Sequence, residues 1–317
     1  MEVPFLAEDP PPYGEVEQVS PLVRRIVAPN PSQFTYHGTG TFIVGPPSGG
    51  KVAIIDPGPA DDAHVGALLR AVEGQTVTHL LITHTHPDHS PATAAVQAAT
   101  GATTYGFGPH PAAAIRAHKE RVRRAIAAGD EPESSDGEGG GDLDFVPDVA
   151  VVDTDVVAGD GFTFECLHTP GHISNHVCFA LAEEGTLFTG DHVMGWSTSV
   201  ISPPDGDMTA YMASLRKLLA RDDALYRPTH GPHIDAPRPF VEAFIAHREA
   251  SERQIARCLD DGVGEIPRMV EAMYADVDPR LHRAAARSVL AHLMHMVAEG
   301  RAACDGEPDA DKTYRNP

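Results

Sequence analysis

The apolar run Thr78 to Thr83 (THLLIT) ends directly in His84-Thr85-His86-Pro87-Asp88-His89, and this junction constrains the chain more than any other stretch. A short apolar, β-branched run bounded by polar residues is a strand. Alternate residues at a strand end project to one side, so His84 and His86 can converge on one cation. Pro87 breaks the strand and lets Asp88 and His89 turn toward a second position. Placing four ligand-type side chains in six residues requires a fold whose strand ends open into loops, with other loops close enough to complete a metal site.

Such loops occur further along. Val52–Ile55 ends in Asp56-Pro57-Gly58, and it pairs as a hairpin with Thr41–Val44 around the GPPSGGK turn. Phe162–Leu167 leads into Thr169-Pro170-Gly171-His172, Thr186–Phe188 into Thr189-Gly190-Asp191-His192, and Thr229-His230-Gly231-Pro232 lies beyond a helix at Thr209–Leu219. Each sets a ligand-type residue near a glycine or proline past an expected strand end. Asp61–Val72 carries Val65, Leu68, Leu69 and Val72 at helical spacing, so strands and helices alternate as in an α/β layered domain. Strands are also expected at Val149–Val152 and His176–Leu181.

The series H-x-H-x-D-H, T-P-G-H, G-D and H-G-P resembles the metallo-β-lactamase superfamily. The resemblance implies an α/β fold, an αββα sandwich, in which His84, His86 and His172 hold a first metal and Asp88, His89 and His230 a second. Asp191 would bridge the two metals. Asp56 matches a position that hydrogen-bonds a ligand imidazole. Aspartate in the bridging place, with the full Asp88-His89 pair, is similar to the glyoxalase II and RNA-processing branches; β-lactamases themselves usually carry cysteine or serine there. GDHVMGWSTSVISPPDGDMTAYMASLRKLL and the helices after HGP resemble the lactamase-like endoribonuclease subgroup, which ends in a winged helix. Thr229 departs from the glycine that often precedes the last histidine, and the acidic, Gly-rich stretch near 130–142 is an addition.

Residues 1–238 are therefore expected to form the catalytic domain, with 130–142 as a mobile acidic loop. Residues 239–317 are expected to form a winged-helix-like domain. It would hold a helix from Phe240, a short helix at Ile266–Tyr274, a long one at Pro279–Glu299 and a terminal hairpin. Pro228 to Pro239 would close the first unit.

The chemistry implied is a dinuclear metal-dependent hydrolase. Two divalent cations generate hydroxide near neutral pH, and a metal-bridging hydroxide attacks an ester, thioester or lactone-type carbonyl. Asp88 is the catalytic candidate, as orienter or proton acceptor. Imidazole-rich ligation suits zinc, with manganese or iron also admitted. Other candidates carry simpler readings. His176 is a proton donor, a substrate anchor or a satisfied strand-end histidine, and His192 stands behind the ligands rather than among them. His233 is read as bland, and Trp196 as a core anchor near the pocket. His292 and His295 at i,i+3 are read as surface or core, and Cys166 as a small buried hydrophobe.

Charge weighs on the substrate. The 317 residues carry 24 bases against 45 acids, a net of −21, so polyanions are repelled overall. RNA would need local bases, and two groups offer them. One is a basic helix within 112–128 (Arg116, Lys119, Arg121, Arg123, Arg124); the other is the stripe Arg280–Arg283–Arg287. Residues 240–317 nevertheless hold 10 bases and 14 acids. A small-molecule substrate is favoured, single-stranded RNA is the alternative, and a non-enzymatic nucleic-acid-binding regulator is a third class. The four cysteines form no C-x-x-C pair, the start of the sequence has no apolar leader, and no membrane span is visible. A cytoplasmic setting without a membrane partner is expected, with room for a homodimer.

Overall fold

The computed structural model describes residues 2–110, 115–116, 119–120, 123, 142–275, 278 and 282–317. Two β-sheets lie face to face with helices outside both, the αββα arrangement. The first sheet takes seven strands in sequence order. These are β1 (Glu17–Gln18), β2 (Val23–Val27), β3 (Gly40–Val44), β4 (Lys51–Ile55), β5 (Thr76–Leu81), β6 (Thr103–Gly106) and β7 (Val149–Ala150). β1 to β4 pair antiparallel and β4 to β7 parallel. The second sheet runs β12-β11-β10-β9-β8, from β8 (Val156–Ala158), β9 (Thr163–His168), β10 (Val177–Leu181), β11 (Thr186–Gly190) and β12 (Leu225–Pro228).

The two-residue side-chain period sorts the layers. Phe42 and Val44 on β3, Ala53 and Ile55 on β4, and Val177, Phe179 and Leu181 on β10 meet between the sheets. Ile43, Val52 and Ile54 point the other way, onto α1 (Asp62–Ala71) and α2 (Thr93–Thr100) through Leu68 and Val96. On the far side, Cys178 and Ala180 pack under α3 (Met208–Leu219), whose Tyr211, Met212 and Leu215 face inward at helical spacing.

Helix α4 (Pro237–Asp260) opens on a proline, whose missing N–H costs nothing in a first turn. Phe240, Val241 and Phe244 in its first half belong to the core under α3. Ile255, Cys258 and Leu259 in its second half belong to a separate core with α5 (Ile266–Met273) and α6 (His282–Ala298). One continuous helix therefore serves two cores and runs unbroken across position 238. Between the two, the buried Arg248 donates to the Ser199 carbonyl and covers the Tyr211 ring at 5.3 Å.

The expected terminal hairpin is a correction. It reduces to one isolated antiparallel bridge, Ala303–Arg315, because the intervening Gly, Pro and Asp residues sustain no ladder, while a second bridge, Glu265–Thr313, ties the tail to the residue before α5. Of the expected basic helix, residues 115–116, 119–120 and 123 are helical, with Arg116, Lys119 and Arg123 exposed. Arg121, Arg124, Arg280 and the acidic stretch up to residue 141 lie outside the described residues. Among the described residues no helix is long and apolar enough to cross a membrane.

Candidate metal centre

Five strands deliver their C-terminal ends to one rim of the sandwich. β4 and β5 are parallel neighbours and release Asp56 and the His84–His89 loop side by side. β9, β11 and β12 run in a common direction in the other sheet and release His172, Asp191 and His230. Loops at the carboxyl ends of strands are free to converge, and these do.

His84 Nε2 and His172 Nε2 each lie 2.9 Å from His86 Nδ1. Asp88 Oδ2 lies 3.0 Å from His230 Nε2 and 3.4 Å from His89 Nε2. Asp191 Oδ2 stands between the groups, 3.8 Å from His172 Nε2, 3.5 Å from His89 Nε2 and 3.4 Å from His230 Nε2. Three overlapping sets emerge whose donor atoms lie within 4.8 Å of one another: His84–His86–His172, His84–His89–Asp191 and Asp88–His89–His230. All seven residues predicted as ligands are thus brought together. Six are buried, and Asp88 alone keeps an open edge.

Partners on the outer side of each ring fix which nitrogen faces inward, because a neutral imidazole that donates from one nitrogen offers a lone pair on the other. His172 Nδ1 donates to the Val200 carbonyl at 2.7 Å, His230 Nδ1 to the Gly38 carbonyl at 3.2 Å, and His89 Nδ1 to Asp56 Oδ2 at 2.9 Å. The Thr83 hydroxyl donates to Asp56 and so accepts from His84 Nδ1 at 3.1 Å. Inward-facing lone pairs on His84 Nε2 and His172 Nε2 then both meet His86 Nδ1, which carries at most one proton. His89 Nε2 and Asp191 Oδ1 are buried with no hydrogen-bond partner among the described residues. Imidazole and carboxylate donors aimed at one another in this way fit divalent cations.

The electrostatics agree. Burial holds His84 well below 6.5, and burial with His172 takes His86 down to about 3, so both stay neutral, as cation donors must. Burial pushes the Asp88 and Asp191 carboxyls upward, but His89 and His230 outweigh it and keep both well below their ordinary range. In return burial disfavours charge on His230, yet Asp191 and Asp88 lift it to about 10. Two buried carboxylates thus draw positive charge into the site, as a cation centre requires.

Asp56 ties the loops together. It sits at φ +48°, fully buried; its Oδ1 accepts from the Thr83 backbone N–H at 2.8 Å. Its Oδ2 accepts from Thr83 Oγ1 at 2.7 Å, His89 Nδ1 at 2.9 Å and Thr229 Oγ1 at 3.1 Å. Thr83 precedes His84 and Thr229 precedes His230, so one carboxylate aligns two loops that carry three of the candidate ligands, His84, His89 and His230. The threonine that departs from glycine is therefore a structural partner of Asp56. Sequence reasoning missed this role, although the repeated Thr-His dipeptide was its visible signal. Gly190 is required at φ +50°, where a Cβ would meet His176 Nε2 at 2.5 Å.

His176 faces Asp191 from behind: its Nε2 accepts the Asp191 backbone N–H at 3.2 Å while Nδ1 donates to Thr169 Oγ1 at 2.9 Å. The His192 ring is buried beside Tyr211, its nitrogens unpartnered among the described residues, and burial takes it down to about 3. Trp196 is half-buried and stacks on Tyr36 at 4.9 Å. His233 is exposed beside Asp235. His292 and His295 are buried and share Glu252 Oε1, at 3.2 and 2.7 Å. Cys166 is buried between the sheets. His110 was not singled out; its Nε2 meets the Thr85 hydroxyl, which also accepts from Asn175 Nδ2 at 3.0 Å.

Comparison with known proteins agrees with this architecture. The Metallo-beta-lactamase superfamily matches residues 37–230, and the Beta-lactamase associated winged helix domain matches 266–311. The chain is 27% identical to the lactamase-like protein adaB of Aspergillus niger over 96% of its own length and 89% of that protein. It is 30% identical to an atrochrysone carboxyl ACP thioesterase of Paecilomyces divaricatus, over 79% of this chain and 68% of the relative. In fold it is similar to a beta-lactamase domain protein from Burkholderia ambifaria, with a TM-score of 0.75, 19% identity, and 98% and 96% of the two chains covered. A metallo-beta-lactamase family protein from Thermus thermophilus gives a TM-score of 0.72 at 22% identity, over 95% and 100% of the two chains. The chain is a metal-dependent hydrolase fold with a C-terminal winged helix, and it belongs to the metallo-β-lactamase superfamily.

Proposed function

We propose that the protein hydrolyses thioesters at a dinuclear centre. His84, His86 and His172 would hold one cation, Asp88, His89 and His230 the other, and Asp191 would lie between them. The observation that carries this is Asp191 Oδ2, which stands within 3.8 Å of ligand nitrogens from both groups. Two divalent cations there, zinc by donor chemistry, would polarise the thioester carbonyl and supply a nucleophile at neutral pH.

The chain's own residues set the rest. Asp56, Val200 and Gly38 accept from the outer nitrogens of His89, His172 and His230, so that the inner nitrogens are the ones a cation would take. Asp88, 23% exposed at its side chain and accepting from the Thr39 hydroxyl at 3.4 Å, would be the carboxylate that orients the nucleophile. Support for thioesters over phosphodiesters comes from relatives named as acyl-carrier thioesterases and from the −21 net charge. Arg116, Lys119 and Arg123, with Arg283 and Arg287 on α6, are the described bases of the two groups that an RNA substrate would use.

The test is thiol release from acyl thioesters by zinc-loaded protein, run beside nitrocefin and labelled single-stranded RNA. Thiol release that a chelator abolishes is expected. Cleavage of RNA or nitrocefin with no thiol release would overturn the substrate assignment.

A further inference from the structure

Beside the metal centre lies a cleft of about 570 Å³ between the loop after β9, the Pro203–Gly206 loop, the start of α3 and the last helix, α6. Pockets for drug-sized ligands run from roughly 300 to 1,000 Å³. Two walls adjoin residues next to the centre. Gly171 immediately precedes His172. Asp205 Oδ2 lies 3.4 Å from His110 Nδ1, whose other nitrogen meets Thr85 between His84 and His86.

The lining selects the ligand. Pro170, Pro203, Pro204, Met208, Met294 and Ala298 make it apolar, and Met294 is 37% exposed on a helix whose other large apolar side chains are buried or partly buried. Methionine is unbranched and adapts to ligands of irregular shape. Asp205 and Asp207 bring negative charge to the wall. His295 supplies no free cation, since its nitrogens lie 2.7 Å from Glu252 and 3.3 Å from Glu299 carboxylates. A phosphate or carboxylate would be repelled without a partner, whereas a neutral apolar group would shed water at no such cost.

We infer, on the basis of the thioester proposal above, that this cleft binds the neutral, apolar acyl group of the substrate, with its thioester end toward His172. Any anionic carrier arm stays outside it. The winged-helix domain thereby contributes acyl selectivity through α6.

The experiment compares acetyl and 2-naphthoyl thioesters of N-acetylcysteamine on the zinc-loaded full chain, using Met294→Trp and Ala298→Phe. Both substitutions narrow the cleft from exposed positions. The naphthoyl-to-acetyl ratio of kcat/KM is expected to fall at least tenfold in each, and an unchanged ratio in both would overturn the inference. A non-hydrolysable 2-naphthacyl thioether of N-acetylcysteamine separates this from the reaction itself. Calorimetric binding to wild type that weakens about tenfold in Met294→Trp supports the cleft even where no thioester is cleaved. No binding to wild type refutes it.

Discussion

Replacing Asp56 by asparagine exchanges one buried oxygen for an amide nitrogen and leaves the backbone in place, since asparagine tolerates the φ of +48° found there. Oδ1 can still accept from the Thr83 N–H. At Oδ2, however, three donors converge: His89 Nδ1–H, Thr83 Oγ1–H and Thr229 Oγ1–H. The hydroxyls can rotate and accept from the new NH2 group. The His89 ring can accept only by moving its proton from Nδ1 to Nε2, which removes the lone pair that would bind the proposed second cation. Loss of such an outer partner typically costs ten- to a hundredfold in metal affinity, about 1.4–2.8 kcal/mol. The assay is metal content after dialysis against graded chelator. The expected result is release of one equivalent at ten- to a hundredfold lower chelator, with the equivalent at His84, His86 and His172 retained longer. Two equivalents held as tightly as in wild type would refute the tautomer argument.

Asp191→Ala removes the carboxylate shared by both groups, so metal content and turnover should fall together; full metal with normal thiol release would contradict its assigned place. Thr229→Val keeps shape but deletes the hydroxyl that Asp56 accepts, and thermal melting should show a loss of about 1 kcal/mol, typical of one intramolecular hydrogen bond. An unchanged melt would show the Asp56 link to be idle. For Glu252, burial raises the carboxyl, but His292, His295 and Arg301 outweigh it and hold it below its ordinary 4.5. A depressed folded-state pKa gives stability that is present above pH 4.5 and lost on acidification below it. The melting-temperature gap between wild type and Glu252→Gln should therefore be widest near pH 5–6 and close as the pH falls. A gap independent of pH would exclude this origin.

The candidate ligands were legible because donor clusters of this kind are written locally. Four donors in the run His84–His89, and single donors beside Gly171, Gly190 and Gly231, mark strand ends without knowledge of the fold. The sandwich was legible where two-residue alternation is strong, as in Phe42–Val44 and Val52–Ile55. Other elements carried weaker signals. β2 reads VRRIV because Arg24 is buried against the Ala71 carbonyl and Gln75, contacts made by residues far along the chain. Helix α2 is eight residues of mostly small side chains without a capping side chain, so little periodicity announces it. The roles of Asp56, Thr229 and His176 depend on contacts between loops 27 to 173 residues apart or on a backbone N–H, and neither is encoded in local spacing. The two-core character of α4 was hidden for the same reason: an amphipathic pattern shows which face is apolar, and only packing shows against what.

The most direct test is elemental analysis of the purified chain during zinc titration of metal-free protein, with thioester hydrolysis followed in parallel. Two equivalents per chain are expected, with thiol release reaching its full rate only as the second binds, and both lost in Asp191→Ala. One equivalent or none at full activity, or hydrolysis that is indifferent to the metal, would contradict the dinuclear centre.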